Sequence, residues 1–304
     1  MLASPESDAM LTRAQATLCG VAAIALWSSL AVLTAGSGAI PPFQLLAMSF
    51  GVAGALGLVV LHRRGGIVPG LRQPRRAALL ATAALFGYHA LYFIALKNAP
   101  VVEANLINYL WPLLIVLFAA LLPGERVRGG QLLGTLLGLA GAGLVVTRGQ
   151  GLALDAAHAV GYFAALGAAL TWAAYSVLNR RYAQVPSAAI VGPCIATAVL
   201  GAAAHLLFES TVQPTPPQWL AVLAMGLGPV GAAFWFWDVG TKRGDLALIG
   251  TLSYAAPLLS TAWLLLAGHA RPHWTQAAAV ALLIGGAALS IHASRRVAKP
   301  TQPA

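Results

Sequence analysis

Charged side chains are scarce in this 304-residue chain. Asp, Glu, Lys and Arg make up 9% of the residues, whereas about 25% is usual for a soluble domain. Hydrophobic residues make up 59%, and the mean hydropathy is +0.78. A water-soluble fold of this composition would expose a large apolar surface and would aggregate. The composition therefore predicts a membrane protein.

The sequence also lacks the usual signatures of chemical sites. Its two cysteines, Cys19 and Cys194, both lie in apolar runs, so neither a disulfide framework nor a metal site is indicated. No HEXXH, Gly-x-Ser-x-Gly or Walker sequence occurs, and no apolar run carries paired carboxylates. We therefore predict neither an enzyme nor a self-contained ATP-driven pump, and no cofactor is implied.

Long apolar stretches are abundant instead. A helix needs about 20 apolar residues to cross a hydrocarbon core about 30 Å thick. Gly, Pro or Arg marks most boundaries of such stretches. We predict an all-α membrane protein with ten transmembrane helices, at residues 14–35, 41–61, 77–96, 101–121, 130–147, 157–178, 187–208, 217–239, 246–267 and 274–293.

Basic residues outnumber acidic ones, with 18 Lys and Arg against 8 Asp and Glu. In a soluble protein this excess would suggest nucleic acid, but here the basic residues stand in small groups between apolar runs. With the N-terminus in the cytoplasm, all but Lys97, Arg148 and Arg271 lie on the cytoplasmic side. We therefore predict that tails 1–13 and 294–304 are cytoplasmic, that the lipid bilayer is the partner and that nucleic acid is not. The sequence carries no signal for an oligomeric state.

The chain contains an internal repeat with an offset of about 145 residues. Without a gap, this offset aligns distinctive residues of the two halves: Trp27 with Trp172, Pro41 with Pro186, Lys97 with Lys242, Tyr109 with Tyr254, Pro112 with Pro257 and Gly141 with Gly286. The repeats, 14–148 and 157–293, hold five spans each. Because five is odd, the two halves must cross the membrane in opposite orientations, around a central cavity. This architecture is typical of secondary transporters.

The two five-helix repeats carry further sequence features of a known group. These are Trp27-Ser28 in the first span, Tyr109-Leu-Trp-Pro112 in the fourth, and Gly124-Glu125 after it. With them the chain resembles the drug/metabolite transporter superfamily, and within it the EamA-type ten-helix branch, over about residues 14–293. The second half departs from the pattern, because the Gly-Glu motif is not repeated at Gly268-His269-Ala270.

An aromatic and amide cluster narrows the resemblance. Tyr88-His89-Ala-Leu-Tyr92, followed by Asn105-Leu-Ile-Asn108-Tyr109-Leu-Trp111-Pro112, is similar to bacterial aromatic amino acid exporters of the EamA branch. The resemblance implies export of aromatic amino acids, or similar small amphiphilic metabolites, across the bacterial inner membrane by alternating access. An exporter of other amino acids or of drugs, and an intramembrane enzyme, remain as alternatives. Small multidrug members carry a glutamate in their first helix, and this chain has none there.

Polar and aromatic side chains within the spans are the candidate substrate contacts. Polar groups at this depth are costly and usually face a bundle interior or a wet cavity. Spacings of three and four residues place several of them on shared helix faces. The predicted substrate-binding residues are Tyr88, His89, Tyr92, Asn105, Asn108, Tyr109, Trp111, Trp172, Tyr175, Ser253 and Tyr254.

Two prolines are predicted to kink spans 4 and 9 near their centres. Pro112 cannot donate to the carbonyl of Asn108, and Pro257 cannot donate to that of Ser253. We expect these carbonyls, with Asn and Tyr side chains, to hold the ammonium and carboxylate of a substrate whose apolar part stacks on Tyr and Trp rings.

Each of these residues also has a simpler interpretation. Trp27, Trp111 and Trp172 lie near mid-span, where helix packing and substrate contact are both open. Trp219 and Trp274 at span ends, together with Trp235 and Trp237, are assigned to interfacial belts. Asp238 stands one turn before Lys242, which predicts a local ion pair near the inner surface. With no carboxylate at the centre of a span, facilitated flux is favoured over proton coupling.

Overall fold

The computed structural model describes residues 11–123, 127–151, 154–268 and 271–295, and every regular element in these ranges is helical. Ten helical segments are long and apolar enough to cross a membrane. In chain order, spans 1 to 10 are Arg13–Gly36, Pro42–Arg63, Arg75–Asn98, Val101–Ala119, Gly129–Thr147, Ala156–Tyr182, Ser187–Phe208, Pro216–Arg243, Leu246–Leu266 and Trp274–Ser294. The predicted all-α, ten-span class is confirmed.

Spans 6 and 8 continue about one turn further than the sequence indicated, to Tyr182 and Arg243. Lys242 therefore belongs to the last turn of a span rather than to a loop. Most of both tails, the Gly124-Glu125 motif and His269 lie outside the described residues.

Spans 4 and 9 are interrupted at equivalent positions of the repeat. Span 4 divides into Val101–Asn108 and Trp111–Ala119, and span 9 into Leu246–Ser253 and Ala255–Leu266. Pro112 and Pro257 lie in the first turn of the second segments, where a missing backbone N–H costs least. Both helices are thus interrupted within a few residues before Pro112 and Pro257.

Contacts between the spans follow the repeat. Span 1 packs against span 8, and its repeat mate, span 6, packs against span 3. Span 4 packs against span 6, and correspondingly span 9 packs against span 1. Spans 2 and 5 each pack against their own mates, spans 7 and 10. Exchanging the two halves maps these contacts onto one another, as two inverted five-helix repeats require.

Glycine allows the closest of these contacts. A Cβ atom on Gly134 would lie 2.3 Å from the carbonyl oxygen of Gly286, and one on Gly286 would lie 2.4 Å from the carbonyl oxygen of Gly134. Spans 5 and 10 therefore touch backbone to backbone. Gly138, one turn along, accommodates the ring of Tyr254.

Candidate substrate site

Trp172 of span 6 lies at the centre of an aromatic cluster. Its ring centroid is 5.5 Å from Trp27 of span 1 and 5.5 Å from Tyr88 of span 3. It is 5.9 Å from both Phe234 and Trp237 of span 8. Four spans from both repeats thus meet at one indole ring. Ring pairs at these separations attract through edge and offset geometries in addition to apolar burial.

Two tyrosines of span 3 pair with two asparagines of span 4. The Tyr88 and Tyr92 rings stack with centroids 6.0 Å apart and an interplanar angle of 10°. Asn108 Nδ2 donates to the Tyr88 hydroxyl at 3.1 Å, and the Tyr92 hydroxyl donates to Asn105 Oδ1. Because Asn105 and Asn108 are three residues apart, they lie on one helix face. The two pairs form a ladder of phenol and amide groups beside Trp172.

His89 is held in a defined orientation. Its Nδ1–H donates to the carbonyl of Leu85 at 2.6 Å, so Nε2 is an acceptor in the neutral ring. The ring meets Phe50 and Tyr88 edge to face, with centroids 5.4 Å and 5.3 Å apart. Within the described ranges, no three His, Cys, Asp or Glu side chains are arranged to hold a metal ion.

The other candidates of spans 4 and 6 are Tyr109, Trp111 and Tyr175. Tyr109 lies at the break of span 4 and is half-buried. Trp111 is buried with its ring centroid 5.8 Å from Trp237, and Tyr175 is buried 5.4 Å from Trp172. Tyr88, His89, Tyr92, Asn105 and Tyr109 all keep part of their surface accessible. These five side chains are therefore half-buried, whereas the rings of Trp111 and Tyr175 are buried.

Ser253 and Tyr254 lie apart from this cluster, fully buried in the break of span 9. Ser253 Oγ donates to the carbonyl of Ile249 in its own helix at 2.8 Å. The Tyr254 hydroxyl accepts from the backbone N–H of Leu113 at 3.2 Å. That N–H stands just after Pro112, so one repeat's tyrosine supports the helix break of the other repeat.

Two aromatic residues of the cluster were missed in the sequence. Trp237, assigned above to an interfacial belt, is fully buried, and the belt assignment is wrong for it. Phe234 lies one turn before it and stacks on Phe50 at 5.5 Å. The repeat offset was the signal that could have found them, because it aligns Trp237 with Tyr92 and Phe234 with His89.

Asp238 and Lys242 form the predicted ion pair, with Oδ2 and Nζ 2.7 Å apart. Both side chains are 4% exposed, so the pair is buried rather than solvated at the membrane surface. Span 8 ends one turn later than expected, which brings both residues inside the bundle. Asp238 directly follows Trp237, so the pair lies next to the aromatic cluster along the chain.

Comparison with known proteins places this architecture in a family. The EamA-like transporter family matches the chain twice, over residues 15–147 and 159–291. A protein of Ancylobacter novellus named aromatic amino acid exporter YddG is 50% identical over 287 residues, which cover 94% of this chain and all of that protein. The Escherichia coli protein of the same name is 30% identical, covering 83% of this chain and 88% of its own.

A solved crystal structure shares the fold at 49% identity and a TM-score of 0.90, covering 95% of this chain and all of the other. The double family match falls on the two five-helix halves recognised from the offset and from the contacts between spans. The chain belongs to the EamA-like transporter family.

Proposed function

We propose that this protein exports aromatic amino acids, or similar small amphiphilic metabolites, across the bacterial inner membrane by alternating access and without chemical change. The observation that carries the proposal is the ladder of Tyr88–Asn108 and Tyr92–Asn105 pairs beside the Trp172 rings. It puts apolar ring faces next to amide groups, which matches a substrate with an aromatic side chain and a charged head. Relatives named aromatic amino acid exporters support the same substrate class.

Asn108 is the best-supported polar contact for the substrate. Among the described residues, its Oδ1 is buried and has no hydrogen-bond partner. A buried acceptor without a donor is unfavourable, and a substrate ammonium would supply one. Asn105 accepts from Tyr92 through its oxygen, which leaves its NH2 group to donate to the substrate carboxylate. The substrate ring would stack against Trp172 and Tyr88.

The charge distribution supports one orientation in the membrane. With both termini in the cytoplasm, 15 of the 18 Lys and Arg residues of the sequence fall at cytoplasmic ends of spans. The outer end then carries Lys97, Arg148 and Arg271. In this orientation spans 6 and 8 end, and span 7 begins, at the cytoplasmic face.

Flux from reconstituted vesicles tests the proposed function. Vesicles holding labelled tryptophan or phenylalanine should lose label only when they contain the protein, and the released compound should be unchanged. A modified product would indicate an enzyme. Faster flux of other amino acids or cationic drugs would indicate a different substrate class. A stable internal pH during flux is expected for facilitated transport.

Two variants test the site itself. Trp172→Ala and Tyr109→Ala should lower flux at least tenfold at normal expression, because each removes ring surface next to the amide ladder. Trp219→Ala provides the control, since Trp219 is 45% exposed at an end of span 8 and should transport normally. Normal flux in both site variants would refute this location for the substrate.

A further inference from the structure

Cationic side chains close one end of the bundle by donating to backbone carbonyls. Lys242 Nζ donates to the carbonyl of Val185 at 2.9 Å, and Arg243 donates to that of Ala183 at 2.9 Å. Arg180, at the end of span 6, donates to the carbonyl of Gly244 at 2.8 Å. These bonds tie the ends of spans 6 and 8 to each other and to the turn before span 7. This is the end proposed to face the cytoplasm.

A buried polar cluster lies just inside this closure. Asp238 Oδ2 is paired with Lys242, and Asp238 Oδ1 accepts from Asn179 Nδ2 at 2.8 Å. Asn179 also donates to Thr241 Oγ1 at 3.1 Å. A buried charge pair is stable only while both partners and their hydrogen bonds are in place. We call Asn179, Asp238, Lys242 and the Val185 carbonyl the inner latch.

The inner latch is connected to the aromatic cluster around Trp172 through Trp237. Trp237, next to Asp238 in span 8, donates through Nε1 to Ser176 Oγ of span 6 at 3.1 Å. Its ring lies 4.9 Å from Trp27 and 5.9 Å from Trp172. If the end of span 8 moved away from span 6, the Trp237 ring would move with it. The aromatic cluster would then lose the ring that lies between it and the inner latch.

The positions of the first half that are equivalent to the inner latch do not carry a charge pair. Lys97, the repeat mate of Lys242, is exposed at the end of span 3. The mate of Asp238 is Phe93, and the mate of Asn179 is Thr34. The two halves share their helices but not this charge pair. A different buried pair lies at the opposite end, where His205 and Glu209 at the end of span 7 are 3.0 Å apart and Glu209 accepts from the backbone N–H groups of Phe43 and Gln44. The two ends of the bundle are thus held by different contacts, and the Asp238–Lys242 pair belongs to one of them.

We propose that the inner latch is the cytoplasmic gate of the transport cycle. Closed, it seals the aromatic site from the cytoplasm, and separation of Asp238 from Lys242 admits substrate beneath Trp237. Asp238, Lys242 and Asn179 are positioning residues, since they act on the site through span 8. The inference rests on the proposed function for its direction, but its test requires no substrate.

Cys194 supplies a native reporter of opening. It is buried in span 7, in the core cluster that includes Trp237. In a Cys19→Ser background, Cys194 should react slowly with a membrane-impermeant maleimide applied to inside-out vesicles. The double variant D238N/K242Q, which leaves no unpaired buried charge, should react at least tenfold faster. K242R keeps the pair and should react at the slow rate.

The controls separate a gate from general loosening. Arg13→Gln removes an ion pair to Asp245 at the same end, where the Arg13 side chain is 51% exposed, and should leave the rate within twofold. The double variant should show no acceleration when reagent is applied to right-side-out vesicles. Unchanged labelling in folded D238N/K242Q, or equal acceleration from both sides, would overturn the gate. Failure of aromatic amino acid flux would overturn the substrate assignment and leave this result standing.

Discussion

At the residue scale, the Asn108 amide uses only one of its two polar atoms in the hydrogen bond with Tyr88. The Asn108 amide nitrogen donates to the phenol, while its buried oxygen has no partner among the described residues. A fully satisfied side chain would gain little from a ligand. This half-satisfied amide therefore favours a substrate that brings a donor of its own.

Asn108→Leu tests that contact with a side chain of similar volume. It removes the acceptor for the substrate ammonium, and a hydrogen bond to a charged group contributes about 1.5–3 kcal/mol. We expect flux at low substrate concentration to fall roughly 10- to 100-fold. Tyr88→Phe is the matched comparison, because it removes the phenol and leaves the amide oxygen in place. An equal loss in both variants would mean that the pair acts as a unit and that the oxygen has no separate role.

The sequence predicted the residues that spans 3 and 4 contribute to the site better than those that span 8 contributes. The spacing of Tyr88 and Tyr92, and that of Asn105 and Asn108, predict that each pair shares one face of its span. The structure adds that the two faces meet and that the side chains pair. Trp237 was misassigned because a Lys-Arg pair normally marks the end of a span. Here Lys242 is buried by its bond to Asp238, so span 8 extends one turn further.

At the element scale, the two broken helices are similar in sequence and different in structure. Tyr254 and Tyr109 occupy equivalent positions after the first segments of spans 9 and 4. Tyr254 is fully buried and bonded to Leu113, whereas Tyr109 is half-buried beside the amide ladder. The repeat alone predicted equal roles for both tyrosines. Packing of Tyr254 against Gly138 distinguishes them.

We therefore expect Tyr254→Phe to lower stability and Tyr109→Phe to lower flux. Tyr254→Phe leaves the Leu113 N–H without its acceptor inside the bundle, which costs about 1–3 kcal/mol. We expect a lower midpoint of thermal unfolding for this variant. Tyr109→Phe should unfold like the unmodified protein and show its effect in flux instead. The reverse pattern would show that Tyr254 is the residue that contacts substrate.

Spans 5 and 10 can approach this closely because Gly134 and Gly286 have no side chains. In Gly286→Ala, the added carbon would lie 2.4 Å from the Gly134 carbonyl oxygen, so the backbones must separate. We expect a loss of about 1–3 kcal/mol, as for overpacked cores. Gly285→Ala is the adjacent control, since a Cβ there meets nothing within 4 Å. It should match or slightly exceed the unmodified stability because alanine favours a helix. Equal thermal unfolding of the two variants would contradict this close approach.

At the scale of the whole molecule, the composition and the number of apolar stretches predict the fold. They do not predict how the two ends of the bundle differ. Ten apolar stretches and an offset of about 145 residues were enough to predict two inverted halves, and the contacts between spans confirm them. The ends of the bundle differ through a few polar side chains whose partners lie about 60 residues away, such as Asn179 and Asp238. A periodic pattern contains no information about such contacts.

Orientation in the membrane is the remaining whole-molecule prediction, and it is independent of substrate. Because 15 of 18 basic residues lie at one face in the ten-span topology, that face should remain in the cytoplasm during insertion. A fluorescent protein fused after Ala304 should fluoresce, and alkaline phosphatase fused there should be inactive. Phosphatase fused between Phe208 and Pro216, at the opposite face, should be active. The opposite result at both positions would reverse the topology and place the Asp238–Lys242 closure on the outer side.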